Sequence, residues 1–308
     1  MKYLIIGAGA MGCVLAGHMT RSGKDVTIIA RGDNLNAIQD VGLKMYTPDL
    51  GDIVVPIKAV AEDEYNETPD VVIIAVKAYA LDTIIPLLDR VCSPKTVVLP
   101  LLNALRIGDT IAAKMSKEAQ ILEGVAYVAC ERLGPGHVRQ KLDFFDIVAG
   151  VRHGHDPIPE LEQIKTDLVE SSADAKIVPN MLQAALRKFV RVSAVSAVLV
   201  YYGGTVGDIV THPERMGYLK ALSQEIIDIA NAAGCPFPPD DDVMAWAIHS
   251  VENVFPEYRT SIKTDFDAGR PIESQTQFAD VYELGRELGL AMPAYARITE
   301  KCGHTIAV

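Results

Sequence analysis

Lys2-Tyr3-Leu4-Ile5-Ile6-Gly7-Ala8-Gly9-Ala10-Met11-Gly12 is the stretch whose reading decides the fold. The apolar run Tyr3 to Ile6 predicts a buried parallel strand, and Val14, Leu15, His18 and Met19 continue with a helical period. Between them stands Gly7-x-Gly9-x-x-Gly12, in the strand–turn–helix setting where each glycine has its own task. Gly7 permits the tight turn, Gly9 lets the backbone approach a pyrophosphate, and Gly12 lets helix and strand pack closely. The N–H groups at the helix start, over Ala10, Met11 and Gly12, are free to face phosphates. A glycine-rich turn without a ligand is the alternative, and the flanking strand and helix weigh against it. The expectation is a dinucleotide site.

The next strand, Asp25 to Ala30, ends in Arg31, about 20 residues beyond the glycines, where NAD-binding folds usually carry a carboxylate. A guanidinium there would pair with a 2′-phosphate, which a carboxylate would repel. A solvated surface arginine is the other reading, and Asp33 keeps it open. NADP(H) is the expected cofactor.

The 308 residues allow two domains of ordinary size. Hydrophobic residues at 49% and charged residues at 22% suit a globular, water-soluble chain. The net charge of −11 argues against nucleic acid or an anionic membrane as partner, and obliges any anionic substrate to find a local cationic pocket. Five widely spaced cysteines without a C-x-x-C are read as reduced thiols. No apolar run approaches a membrane span, and a cytoplasmic location is expected.

Further along, residues 43–60 suggest one or two short strands, and Asp70 to Val76 is a buried strand leading into Lys77. Lys77 stands at a strand's carboxyl end, where open α/β sheets bind ligands, although a lysine there can equally be surface dressing. Thr96 to Leu102 is another strand, with Asn103 at its mouth, followed by a helix over 107–115. Residues 120–151 are strand-like, with turns at Gly134-Pro-Gly136 and near Asp143. His153-x-His155 has no evident third ligand and reads as a loop pair, so no metal is expected. Pro157 opens an amphipathic helix. Beyond Pro179 helical periods take over, at 181–201, 214–234, 241–254, 272–288 and 293–307. The fold class is α/β, a Rossmann-type nucleotide-binding domain over residues 1–178 followed by an all-helical domain over 179–308. A cleft between them is where a substrate would meet the nicotinamide.

Two clusters carry candidate chemistry. Lys188 lies among apolar residues, with Val192 and Ser196 on the same helical face. A desolvated lysine has a lowered pKa and can donate a proton, while a stem lying along apolar surface with its head in water is the commoner fate. Ser261, Asp265, Gly269, Arg270 and Glu273 crowd hydroxyl, carboxylates and guanidinium into a polar turn, for which helix capping is the default account.

Together these residues resemble the ketopantoate reductase (2-dehydropantoate 2-reductase) family over nearly the whole chain. The shared features are the glycine motif, Arg31, Val76-Lys77-Ala78, Asn103, Lys188, Glu225 and the signature S-x-x-x-D-x(7)-E, here Ser261, Asp265 and Glu273. The resemblance implies hydride transfer from NADPH to the C2 carbonyl of a small 2-oxo acid, and a place in pantothenate biosynthesis. It puts Gly7, Gly9, Ala10, Met11, Gly12, Arg31, Lys77 and Asn103 on the cofactor. Lys188 would be the general acid, supported by Glu273, and Lys188, Val192, Ser196 and Ser261 would line the substrate. Glu225 and Asp265 are left between catalytic and structural roles, and a homodimer is left open. The family's usual Gln-Asn-Gly is Leu102-Asn103-Ala104 here, and its usual asparagines four and eight residues after the lysine are Val192 and Ser196. A reductase of another 2-oxo acid or carbonyl compound, with a more apolar pocket, is therefore one alternative. A non-catalytic NADP(H)-binding sensor or scaffold is the other.

Overall fold

Short runs of apolar residues become the middle of a parallel sheet, as strands buried on both faces must. The computed structural model describes residues 1–152 and 158–306; His153, His155 and the expected helix start at Pro157 lie outside the described residues. By internal packing the chain divides into two units, Met1–Leu102 with Arg106–Met181, and Asn103–Leu105 with Leu182–Val308.

The first unit runs β1 (Lys2–Ile6), α1 (Ala10–Arg21), β2 (Asp25–Ile29), α2 (Gly32–Val41), β3 (Leu43–Thr47), β4 (Gly51–Val55) and β5 (Lys58–Val60). Then follow β6 (Val71–Ile74), α3 (Leu81–Val91), β7 (Val97–Pro100), α4 (Ile107–Lys114), β8 (Gln120–Gly134), β9 (His137–Val151), α5 (Glu160–Glu170) and β10 (Asp174–Ile177). Strands β5-β2-β1-β6-β7-β8 are parallel neighbours, the Rossmann-type half of the sheet. At β8 the sheet changes character: β9 returns antiparallel along it and then pairs in parallel with both β3 and β10, while β4 pairs antiparallel with β3.

Helix α1 buries the face from Gly12 to Met19 and packs on both halves of this sheet. At Gly17 the missing side chain makes room for Met45 of β3, whose Sδ would lie 2.9 Å from an added Cβ. A buried polar knot ties β1 to α5. The Tyr3 hydroxyl donates to Asp167 at 2.5 Å, and Lys24 and Gln163 also donate to that carboxylate, at 2.9 and 3.0 Å. Burial alone would raise the Asp167 pKa, but these hydrogen bonds outweigh it and hold it below the ordinary range.

Several elements differ from the sequence expectation. Residues 43–60 form three strands because the turn Pro48-Asp49-Leu50 and then Pro56 break the run. The expected turn near Asp143 is no break in β9 but a register shift against β8, between the pairs Val128–Phe145 and Cys130–Gln140. The polar helix α2 and the four-residue β10 carry too little apolar pattern to announce themselves.

In the second unit α6 (Met181–Tyr202) is the core element, buried on nearly every side from Ser193 to Val200. Around it follow α7 (Val206–Thr211), α8 (Pro213–Ala232), α9 (Val243–Glu252), α10 (Ser261–Asp267), α11 (Asp280–Glu287) and α12 (Pro293–Lys301). Helices α7 and α10 occupy stretches that read as breaks and a polar turn. They are short and held at their starts by side chains, a Thr205–Asp208 capping box and a Thr260 cap. Among the described residues no helix is long and apolar enough to cross a membrane.

Candidate active site

Each of the three glycines meets a different physical demand. Gly7 ends β1 with φ +117°, and a Cβ there would lie 2.8 Å from the Ala75 carbonyl carbon beyond β6. Gly12 faces back on the same turn, where an added Cβ would lie 2.0 Å from the Gly7 carbonyl oxygen. Gly9 is exposed, has an ordinary extended backbone (φ −78°), and no protein atom lies within 4 Å of where its Cβ would stand. Nothing inside the protein calls for a glycine there, so the space it leaves suits a group approaching from outside. Gly9 caps α1 without a side-chain hydrogen bond, and the first turn holds no carboxylate. The N–H groups of Ala10, Met11 and Gly12 thus stand at a helix start that no side chain caps.

Arg31 caps α2, is exposed, and among the described residues no side chain pairs with its guanidinium. Lys77 begins the 3₁₀ turn that follows β6, half-buried, and its charge is felt by the Cys130 thiol. Both residues belong to the first unit, at the carboxyl ends of β2 and β6.

The second unit gathers Asn103, Lys188 and Glu273, which lie far apart in sequence. Lys188 is 7% exposed, and its Nζ donates to Asn103 Oδ1 at 2.5 Å. Burial drives its pKa down to about 8, and the charge of buried Glu273 keeps it from falling further. The arrangement is an ammonium held near its titration point and aimed by an amide. Its neighbour Arg187 grips Asp241 through Nε at 2.8 Å and Nη2 at 3.1 Å and lies over the Trp246 ring, which anchors this part of α6.

Val192, one turn on, is half-buried. Ser196 is 1% exposed, and its hydroxyl donates to Thr260 Oγ1 at 3.0 Å. Thr260 accepts from the Lys263 N–H as the cap of α10, which leaves Ser261 exposed as the first residue of that helix. Thr260 was missed in the sequence, because a cap among hydroxyls has no distinctive spacing. Asp265 pairs with Arg270 at 2.9 Å across the turn at Gly269. Glu225 accepts from the N–H groups of Ala294 (2.6 Å) and Tyr295 (2.9 Å) and so fastens the start of α12 to α8. Both carboxylates have structural work to do. Among the described residues no group of three His, Cys, Asp or Glu side chains could hold a metal ion.

Residues 3–152 match the family described as ketopantoate reductase PanE/ApbA, and residues 180–304 match its C-terminal family. The 2-dehydropantoate 2-reductase of Mesorhizobium japonicum is 30% identical over 93% of this chain and 92% of its own. The chain belongs to the ketopantoate reductase family. It is an oxidoreductase of that family. Two solved structures share the fold. The 2-dehydropantoate 2-reductase of Methylococcus capsulatus superposes with a TM-score of 0.86 at 24% identity, over 98% of this chain and 96% of its own. A D-mandelate dehydrogenase, with NADH and anilino(oxo)acetate, reaches 0.87 at 20% identity over 97% and 96%.

In this family member two glycines should respond differently to a methyl group. Gly12→Ala forces a Cβ onto a backbone oxygen and is expected to destabilise the protein by about 1–3 kcal/mol. Gly9→Ala should stay within about 0.5 kcal/mol of wild type. Urea denaturation midpoints measure both, and equal losses would show that Gly9 also serves packing.

Proposed function

We propose that this ketopantoate reductase family member reduces a 2-oxo acid to the 2-hydroxy acid with NADPH. The observation that carries the reading is Lys188, a buried ammonium aimed by Asn103, coupled to Glu273 and titrating at about 8. The fit for a dinucleotide rests on the space at Gly9 and the uncapped start of α1. Gly7, Gly9, Ala10, Met11 and Gly12 would hold its pyrophosphate, and Arg31 its 2′-phosphate. Lys77 and Asn103 would complete the cofactor contacts.

Bound NADPH supplies the hydride. As negative charge builds on the C2 oxygen of the substrate, the Lys188 ammonium stabilises it and then gives it a proton. Asn103 accepts one of the ammonium hydrogens and so helps to set the ammonium's direction. Glu273 keeps the lysine charged near neutral pH in spite of its burial. Ser261, exposed at the first turn of α10, offers a hydroxyl to the substrate's polar end.

The substrate reading follows from the residues beyond the lysine. Val192 has no hydrogen-bonding group, and the Ser196 hydroxyl already donates to Thr260. This wall suits a 2-oxo acid with an apolar tail. A hydroxylated tail such as that of ketopantoate would lose about 1–3 kcal/mol for each buried hydroxyl left unmet.

The reading is tested at the cofactor, the acid and the substrate wall. Arg31→Ala should weaken NADPH binding about 10- to 150-fold, the value of a charge-assisted contact, and leave NADH binding nearly unchanged. Fluorescence titration measures both, and equal losses would remove Arg31 from phosphate recognition. Lys188→Ala should lower turnover by about 10²–10⁴ with NADPH affinity near wild type. In the wild type the reduction rate should fall above pH ~8 as Lys188 loses its proton. A variant that keeps most of its turnover would move the acid elsewhere. In a panel of 2-oxo acids followed by NADPH absorbance, apolar-tailed acids should be preferred to ketopantoate. The double variant Val192→Asn with Ser196→Asn should shift that preference toward ketopantoate, and a wild type already strongly selective for ketopantoate refutes the apolar wall.

A further inference from the structure

Asn34 stands in the first turn of α2, and its side-chain amide joins two separate segments of the first unit. Its Nδ2 donates to the Ala8 carbonyl at 2.8 Å, and its Oδ1 accepts from the Gly136 N–H at 2.7 Å. Gly136 lies in the turn between β8 and β9 with φ +60°, and its carbonyl accepts from the Lys44 N–H at 2.8 Å. An added Cβ there would lie 3.0 Å from that of Ala37, so the turn rests directly on α2.

Ala8 is the residue between the first two glycines of the loop. Gly7 and Gly9 flank it with the most permissive backbone available, so the intervening peptides have little intrinsic reason to keep one orientation. In a planar trans peptide the C=O and the following N–H point in opposite directions. With the Ala8 oxygen drawn toward α2, the Gly9 N–H is turned away from that helix, and no described residue accepts it.

We propose that Asn34 is a positioning residue for the dinucleotide, which holds the Ala8–Gly9 peptide so that an N–H, not a carbonyl oxygen, faces the pyrophosphate. The inference rests on the cofactor reading above. A flipped peptide would set an oxygen lone pair against the phosphates and remove a donor at the same place. The strut also ties the loop to the helix that Arg31 caps, so the two phosphate-facing features keep a fixed spacing.

The test is titration of NADPH and NADH into the wild-type protein, Asn34→Ala and Asn34→Asp, with the melting temperature of each unliganded protein. Asn34→Asp keeps an acceptor for Gly136 but cannot donate to Ala8, and Asn34→Ala removes the amide without adding charge. Both variants should bind NADPH and NADH about 5- to 50-fold more weakly, by the same factor for each, because the pyrophosphate is common to both. KM for the cofactor should rise while kcat at saturation holds. Asn34→Ala binding both dinucleotides within about twofold of wild type overturns the proposal, as does a loss confined to NADPH, which belongs to the 2′-phosphate contact. If Asn34→Ala melts far below wild type, Asn34→Asp decides by the same criterion. A wild type that binds neither dinucleotide sinks the cofactor reading itself, a different result from a wild type that binds and a variant that binds equally well.

Discussion

The first unit is referred throughout to one close crossing, where α1 leaves β1. The oxygen of Gly7 stands where a side chain on Gly12 would begin, and Gly7 itself presses on the backbone beyond β6. Only hydrogen atoms fit at these two points. That proximity lets α1 reach β2 and β8 on the parallel half of the sheet and β3 and β9 beyond it, so one helix organises both. It also brings the start of α1 to the mouth of the central strands, with its N–H groups uncovered. The close packing that makes the unit compact is the same packing that leaves this helix start open.

The second unit is built around the opposite condition, a charge kept inside. Helix α6 is apolar enough to be buried almost all round, and Lys188 is carried in with it. An ammonium in that setting must be hydrogen-bonded and faced by an opposite charge, and Asn103 and Glu273 meet the two needs. Glu225 and Asp265 hold a helix start and a turn.

How far the fold and the site could be read in advance depended on the range of the forces involved. Parallel strands such as Val71–Ile74 and the strand–turn–helix around the glycines are local patterns, and they read correctly. The α2 helix did not, because Asp33, Asn34, Asn36, Gln39 and Asp40 leave it almost no apolar stripe. Helix α10 was hidden in a polar turn because Thr260 supplies its cap from outside any hydrophobic period. The pairing of β9 with both β3 and β10 joins residues about a hundred positions apart in one case, which no window of sequence contains. In the site, the apolar neighbours of Lys188 left two fates open, a desolvated ammonium or a head in water; the structure buries it, and its amide partner had no local signal. Asn103 lies 85 residues away, on a three-residue segment grouped with the helical unit although the chain on both sides of it belongs to the first.

The burial of Lys188 has a thermodynamic side. Its pKa in the folded protein is about 8, below the ordinary lysine value of 10.5. Well below pH 8 the lysine is charged both folded and unfolded, and the folded state bears the full cost of desolvating it. Between pH 8 and 10.5 the folded state gives up its proton first, so stability gains as pH rises through that window. The shift corresponds to about 3 kcal/mol, set against a total of roughly 5–15 kcal/mol for an ordinary domain. At neutral pH the protein therefore folds against its own lysine, and an uncharged side chain of similar shape would relieve the helical unit of that burden.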